Sequence, residues 1–115
     1  MNWKILSTLD QLDQIIADSH TKPVGIFKHS TTCPISAMAK KRFEQQWNFD
    51  IDCYYLDLLA LRPISNAIAE TLEVTHQSPQ FILVQNGEAV YDASHLNIEI
   101  SEIKAALENQ AAQLG

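Results

Sequence analysis

The chain has 115 residues, of which 46% are hydrophobic, and this length and composition suit one domain with a hydrophobic core. Its formal net charge of -6 argues against a nucleic-acid partner and against an anionic membrane surface, because both require a basic face. No long apolar run precedes Asp10 and Asp13, so we expect no signal peptide, no transmembrane helix and a cytoplasmic location.

The first half of the chain predicts two helices with a strand between them. The apolar residues of the first helix recur at helical spacing and stop before Pro23: Leu9, Leu12, Ile15 and Ile16. An apolar run over residues 24–27 predicts a buried strand that extends to Lys28. A second helix is predicted to begin near Pro34, with its apolar side chains on one face: Ile35, Met38, Ala39, Phe43 and Trp47.

The second half predicts a strand, a helix, a hairpin and a last helix. Residues 51–56 are apolar on both faces apart from one aspartate, as expected of an interior strand, and Pro63 opens a helical pattern. Asn86-Gly87, between two β-rich runs, is a strong signal for a type I′ hairpin. Apolar residues then predict a C-terminal helix: Ile100, Ile103, Ala106, Leu107 and Leu114.

This order of elements predicts the fold class. Strands joined through a helix run parallel with a right-handed crossover, whereas a terminal hairpin adds antiparallel strands to the same sheet. We therefore predict a single α/β domain over residues 1–115, with a central mixed four-stranded sheet and helices on both faces. In such sheets the functional site lies beyond the carboxyl ends of the parallel strands, which is where Cys33 falls.

Cys33 stands where a predicted helix begins, after a strand and a polar loop and before Pro34. At a helix start, unpaired backbone N–H groups and the positive end of the helix dipole favour the thiolate, which is the reactive form. The position of a resolving cysteine, three residues on, holds Ser36, which can donate a hydrogen bond but cannot form a disulfide. We predict a one-thiol redox protein; the alternative is a buried cysteine that only packs.

The second cysteine, Cys53, is predicted to be a core residue. It lies about four residues, or roughly 13 Å, from the active end of its strand, which is too far to resolve a disulfide on Cys33. Two cysteines are too few for a disulfide scaffold or a four-thiolate zinc site. The sequence contains no ligand set with zinc spacing, so we expect no metal.

Three further residues are candidates for the site. Pro79, after Ser78, either starts a strand or forms a cis peptide that exposes the backbone of Ser78 to an extended substrate. His29 lies four residues before Cys33 and, if protonated, would lower the pKa of the thiol; a histidine without a role is the alternative. The same two interpretations apply to His76.

These motifs resemble those of a known family. The segments Thr32-Cys33-Pro34-Ile35-Ser36, Phe27-Lys28-His29-Ser30 and Ser78-Pro79 resemble the monothiol bacilliredoxins of the bacillithiol system, thioredoxin-like proteins with a Thr-Cys-Pro-Ile-Ser signature. The likeness extends from Trp3 to about Leu107. It implies a thioredoxin-like fold and the removal of bacillithiol from protein cysteines in Gram-positive and related bacteria.

The resemblance also implies roles for the site residues. Cys33 is the expected nucleophile, and Pro79 is the expected cis-proline. Further catalytic contributions are expected from Pro34 and Ser36, and substrate binding from Thr32, Ser78, Pro79 and Lys28. The Cys33 thiolate would attack a mixed disulfide and hold the small thiol until a second small thiol releases it. The expected partners are bacillithiolated cytosolic proteins, with bacillithiol as thiol co-substrate and no tightly bound cofactor.

Two other functions remain open at this point. One is a monothiol glutaredoxin-like carrier of an iron–sulfur cluster, against which Pro34 counts, because cluster-binding relatives generally have glycine after the cysteine. The other is a thioredoxin-like binding module whose cysteine is incidental, and rapid alkylation of Cys33 would count against that function.

A basic cluster, formed by Lys40, Lys41 and Arg42, lies on the helix that begins at the cysteine. Such a run is usually a solvated helix face. Because bacillithiol carries carboxylates, either this cluster or Lys28 is a candidate for attracting it electrostatically. The sequence does not choose between them.

Overall fold

The computed structural model describes residues 3–29, 34–47, 51–57, 61–77, 79–94 and 98–114, except for the side chains of residues 34–36 and 108–114. The elements in chain order are β1 (Trp3–Ile5), α1 (Leu9–Asp18), β2 (Val24–His29), α2 (Pro34–Gln46), β3 (Asp52–Asp57), α3 (Arg62–Leu72), β4 (Gln80–Gln85), β5 (Glu88–Ser94) and α4 (Ile100–Leu114).

The strands form one mixed sheet in the order β1-β3-β2-β4-β5. β2 and β3 run parallel, with Val24 opposite Asp52 and His29 opposite Asp57. β4 runs antiparallel to β2, and β5 runs antiparallel to β4. The predicted α/β class, the parallel central pair and the terminal antiparallel hairpin are therefore confirmed.

The predicted count of four strands is wrong, because β1 adds a fifth strand at one edge. β1 pairs parallel with β3, with Trp3 opposite Cys53 and Ile5 opposite Tyr55. Its three residues are too few to show an alternating pattern, and their partners lie about 50 residues further along the chain. The strand exists because of this long-range pairing, which no local sequence signal reports.

The turns and caps follow the local sequence chemistry. Thr8 caps α1 through a reciprocal capping box with Gln11. Asn86 and Gly87 both have positive φ, 55° and 75°, as a type I′ turn requires, so the hairpin prediction is confirmed. Glu73, in the left-handed conformation at φ 55°, ends α3.

The helices cover both faces of the sheet, as predicted. One core cluster lies under α1 and α3 and includes Ile15 and Ile68, whereas a second lies under α2 and includes Phe43. The prediction that Met38 shares the buried face of α2 is wrong, because that side chain is 63% exposed. Ala39, Phe43 and Trp47, at four-residue spacing, form the packed stripe instead.

Within the described residues, no helix combines the length and the apolar character needed to cross a membrane.

Gly25 allows close packing inside the sheet. A methyl group at this position would lie 2.8 Å from Cε2 of Phe81 and 2.9 Å from Sγ of Cys53, both of which are buried. We expect Gly25→Ala to lower the free energy of unfolding by about 1–3 kcal/mol, measured by urea denaturation. The loss should be smaller in a Cys53→Ala background, which removes one of the two contacts. A loss below about 0.5 kcal/mol in the wild-type background would contradict this account.

Candidate functional site

The carboxyl ends of β2 and β3 meet at one end of the sheet, where His29 lies opposite Asp57. Lys28 is paired across the sheet with Gln80, the first residue of β4, so Pro79 comes to the same end. α2 begins at Pro34, directly after Cys33 in the sequence. The predicted context of strand, connecting segment and helix is therefore present around the cysteine position.

Several predicted site residues lie outside the described part of the chain. These are Thr32, Cys33 and Ser78, and with Ser78 the peptide bond that precedes Pro79. The side chains of Pro34 and Ser36 also lie outside the described set. Of the remaining candidates, Lys28, His29 and Pro79 are all buried.

Lys28 has a buried position that is unusual for a lysine. Its side chain is 0% exposed, and its Nζ donates a hydrogen bond to the carbonyl oxygen of Ser65, at 3.5 Å, and lies 3.4 Å from Nδ1 of His76. Burial lowers the pKa of Lys28 to about 8, although the charge of Asp92 acts in the opposite direction. Lys28 therefore lies beneath the site end of the sheet rather than on its surface.

His76, which is itself exposed, contacts both Lys28 and Ser65. Its Nδ1 lies 3.2 Å from Oγ of Ser65, and burial together with the positive charges of Lys28 and Arg62 lowers its pKa. Because an ammonium group only donates, its contact with Nδ1 requires that nitrogen to be unprotonated. A hydrogen bond from Lys28 to Nδ1 is compatible only with the neutral tautomer that carries its proton on Nε2.

Gln80 fixes the segment that leads to Pro79. Its side-chain amide donates to the carbonyl oxygen of Thr75, at 3.0 Å, and to Oδ2 of Asp92, at 3.3 Å. The backbone N–H of Gln77 donates in turn to the side-chain oxygen of Gln80, at 3.4 Å. Gln80 is fully buried, so these bonds connect residues 75–77 to the sheet beside the site.

His29 faces the α2 side of the sheet, opposite to the side that Lys28 faces. It is 6% exposed, and its ring centroid lies 5.5 Å from that of Tyr55 and 6.3 Å from that of Phe27. The histidine therefore belongs to the aromatic layer beneath α2 at the end of β2.

Cys53 is a core residue, as predicted. It is 1% exposed and lies in the cluster under α2. Burial raises the pKa of its thiol to about 12, and the charge of Asp52 adds to the effect. A thiol with this pKa is not a nucleophile at neutral pH. Within the described residues, no group of three or more His, Cys, Asp or Glu side chains is placed to hold a metal ion.

A groove of about 510 Å³ lies between α2 and the β1 edge of the sheet. Its lining combines aromatic and charged side chains: Trp3, Ile5, His29, Ala37, Lys40, Lys41, Glu44 and Tyr55. Nζ of Lys40 lies 5.5 Å from the ring centroids of both Trp3 and Tyr55, which is within cation–π distance, and forms an ion pair with Glu44.

The three residues of the predicted basic cluster on α2 have different surroundings. Lys40 and Lys41 line the groove, whereas Arg42 forms an ion pair with Glu99, with 2.8 Å between Nη2 and Oε1. The three cations therefore do not form one solvated patch.

The comparisons with known proteins agree with this arrangement. The family model for monothiol bacilliredoxin BrxC matches residues 4–103. The chain belongs to the monothiol bacilliredoxin family. A solved structure described as a candidate oxidoreductase with a thioredoxin fold is 39% identical, with a TM-score of 0.75, and the match covers 90% of this chain and 91% of the other. The thioredoxin-like fold and a thiol oxidoreductase class follow from these matches.

Thioredoxins from other organisms share the fold at lower identity. The thioredoxin of Malassezia sympodialis is 20% identical, with a TM-score of 0.71 and coverage of 94% of this chain and 90% of the other. A thioredoxin of Schistosoma mansoni is 19% identical, with a TM-score of 0.68 and coverage of 94% of both chains.

Two features of this bacilliredoxin site were absent from the sequence-based prediction. One is the polar cluster of buried Lys28, buried Ser65 and exposed His76, and the other is the groove beside α2. The sequence did contain a signal for the polar cluster. A mostly apolar strand is covered on both faces, so the lysine near its end is expected to be buried and to need polar partners. No local signal existed for the second, since its residues come from four separate elements.

Proposed function

We propose that this bacilliredoxin uses Cys33 to remove bacillithiol from mixed disulfides on cytoplasmic proteins. The main support is that the cysteine directly precedes α2 in a family-matched thioredoxin-like fold, while Cys53 is buried with its pKa raised to about 12. Position 36 holds a serine, so the chain has no second thiol in the motif. One reactive thiol at a helix start is the arrangement that monothiol exchange requires.

The first step is an exchange at the bacillithiol sulfur. The Cys33 thiolate attacks that sulfur, a new disulfide forms between Cys33 and bacillithiol, and the bond to the substrate protein breaks. The substrate cysteine leaves as a thiolate and takes a proton from water. No net oxidation or reduction occurs, because one disulfide replaces another.

A second exchange completes the turnover. Because Ser36 cannot displace bacillithiol from within the protein, the thiolate of a second low-molecular-weight thiol attacks the adduct. A small-molecule disulfide forms, and Cys33 leaves as a thiolate. The small thiol is therefore the reductant, and the chemistry takes place on sulfur without a tightly bound cofactor.

The other site residues have supporting roles in this proposal. Pro34 begins α2 and so sets the helix start behind the thiolate, and the Ser36 hydroxyl donates a hydrogen bond to it. Thr32, Ser78 and Pro79 bind the substrate backbone, with residues 75–77 held by Gln80. Lys28 and His29 are buried on opposite faces of the sheet and support the site from there.

The intact mass of the protein after exposure to bacillithiol disulfide and, separately, to glutathione disulfide tests this function. We expect one bacillithiol adduct, located on Cys33 by peptide mapping, and less adduct with glutathione. An absence of any adduct on Cys33, or an adduct on Cys53 alone, would contradict the proposal.

Replacing the motif serine tests the one-thiol turnover. In Ser36→Cys, a thiolate at position 36 should attack the adduct, close a disulfide with Cys33 and release bacillithiol. Mass spectrometry should show loss of the trapped adduct and a decrease of two hydrogens from the reduced mass. Ser36→Ala is the control and should keep the adduct. A persistent adduct in Ser36→Cys, without an internal disulfide, would contradict the inferred spacing of the two positions.

A further inference from the structure

The groove between α2 and β1 extends to both elements that flank the cysteine. The nearest described side chains in sequence on either side of Cys33 are those of His29 and Ala37, and both line this groove. His29 ends β2, and Ala37 lies in the first turn of α2. A ligand in the groove would therefore contact the end of β2 and the first turn of α2, the two elements that flank Cys33 in the sequence.

The size and lining of the groove suit a small ligand. Its volume of about 510 Å³ lies within the usual range of small-molecule sites, which is about 300–1,000 Å³. Trp3 and Tyr55 form an aromatic wall, and the cation–π contacts of Lys40 hold that lysine over both rings.

The charges of the groove favour an anion. Lys40 is already paired with Glu44, whereas Lys41 is exposed and forms no ion pair with any residue that the structure describes. Among the lining residues that the structure describes, two lysines thus stand against one glutamate, on a chain whose formal net charge is -6. Lys41 is the cation that remains available to a carboxylate.

We propose that this groove binds the carboxylate-bearing part of the small thiol, with Lys41 as the residue that selects the anion. The inference rests on the proposed function and adds the subsite that recognises the co-substrate. The sulfur of the bound thiol lies at the end of the groove that His29 and Ala37 line, and its carboxylate lies near Lys41. A small thiol without a carboxylate lacks this contact and reacts at Cys33 without the same assistance.

The rate of adduct formation tests the subsite. Wild type and Lys41→Gln are mixed with bacillithiol disulfide or with neutral 2-hydroxyethyl disulfide, and quenched samples are measured by intact mass. We expect Lys41→Gln to lower the rate with bacillithiol disulfide about two- to fivefold, the usual size of one exposed charge contact, and to leave the neutral reaction unchanged. Lys104→Gln, an exposed lysine on α4, is the matched control. High salt should remove the difference.

A binding measurement separates the subsite from the exchange chemistry. Reduced bacillithiol is titrated into the Cys33→Ser variant with and without Lys41→Gln, and amide chemical shifts are followed. We expect shifts around Lys41 and Ala37 that weaken in the Lys41→Gln background. Such shifts without any Cys33 adduct in the wild type would support the subsite and contradict the proposed function.

Three results would overturn the subsite. The first is an equal rate for Lys41→Gln and wild type with bacillithiol disulfide. The second is shifts confined to other parts of the protein, or none at all. The third is that Lys41→Gln lowers the rate of adduct formation with a bacillithiolated protein but with neither small disulfide. That result would mean that the groove binds the protein partner.

Discussion

We expect the Cys33→Ser variant to lose the removal of bacillithiol from a modified test protein by at least about a thousandfold, as the loss of an attacking nucleophile does in other enzymes. A serine hydroxyl is not ionised near neutral pH and cannot form a disulfide, so the first exchange step has no nucleophile and no adduct forms for the second step. The measurement is the rate at which the free thiol of the test protein returns in the presence of excess bacillithiol.

Cys53→Ser is the matched control, because it removes the other thiol of the chain. Cys53 is 1% exposed and its pKa is raised to about 12 by burial, so its loss should leave the activity nearly intact. The variant should lose about 1 kcal/mol of stability, because a hydroxyl replaces a buried sulfur. A folded Cys53→Ser variant that forms the Cys33 adduct normally but does not turn over would identify Cys53 as a resolving residue.

Lys28→Met should raise the free energy of unfolding by about 1–2 kcal/mol at pH 7. Burial lowers the pKa of Lys28 from 10.5 to about 8, so the charged form that exists at pH 7 is destabilised in the folded protein. Methionine has a similar length and no charge, and its introduction removes this cost. The hydrogen bond to Ser65 and the contact with His76 are lost at the same time, which reduces the gain.

The pH dependence of stability identifies the cause. Between the folded pKa of about 8 and the unfolded value of 10.5, the unfolded state binds more protons at Lys28, so stability rises with pH. We expect Lys28 to contribute a rise of about 1 kcal/mol between pH 8 and 9 in wild type. The raised pKa of Cys53 offsets part of this rise from about pH 8 upward, because the unfolded thiol ionises first, so the contribution of Lys28 is the difference between the profiles of wild type and Lys28→Met.

The Lys28→Met variant should lack that rise, whereas Lys104→Met, at an exposed site, should keep it. Urea denaturation at pH 7, 8 and 9 measures all three proteins. A Lys28→Met variant that is less stable than wild type at pH 7, with an unchanged pH profile, would mean that Lys28 is a net stabilising cation.

The elements that the sequence predicted correctly have strong local signals. Asn86 and Gly87 tolerate the positive φ of a type I′ turn, and Pro63 suits the first turn of a helix, so both signals act within a few residues. The position of Cys33 before α2 followed from the same kind of evidence, since Pro34 begins that helix. Cys53 was placed in the core because its strand is apolar on both faces.

The features that the sequence did not predict depend on distant partners. β1 exists through its pairing with β3, and the exposure of Met38 depends on which face of α2 meets the sheet. Lys28 was considered as a cation that attracts bacillithiol, yet its environment is set by Ser65 and His76, which lie 37 and 48 residues further along the chain. Burial and partners of this kind are tertiary properties, and local propensity does not encode them.

The rate of alkylation by iodoacetamide as a function of pH tests the central claim, that one activated thiol carries the chemistry. It is measured in wild type and in Cys53→Ser, with the labelled cysteine identified by peptide mapping. We predict that Cys33 reacts with an apparent pKa clearly below the ordinary cysteine value of about 8.5, in both proteins. Cys53, with a pKa raised to about 12, should be labelled only after unfolding. Equal, slow labelling of both cysteines in the folded wild-type protein would contradict the claim.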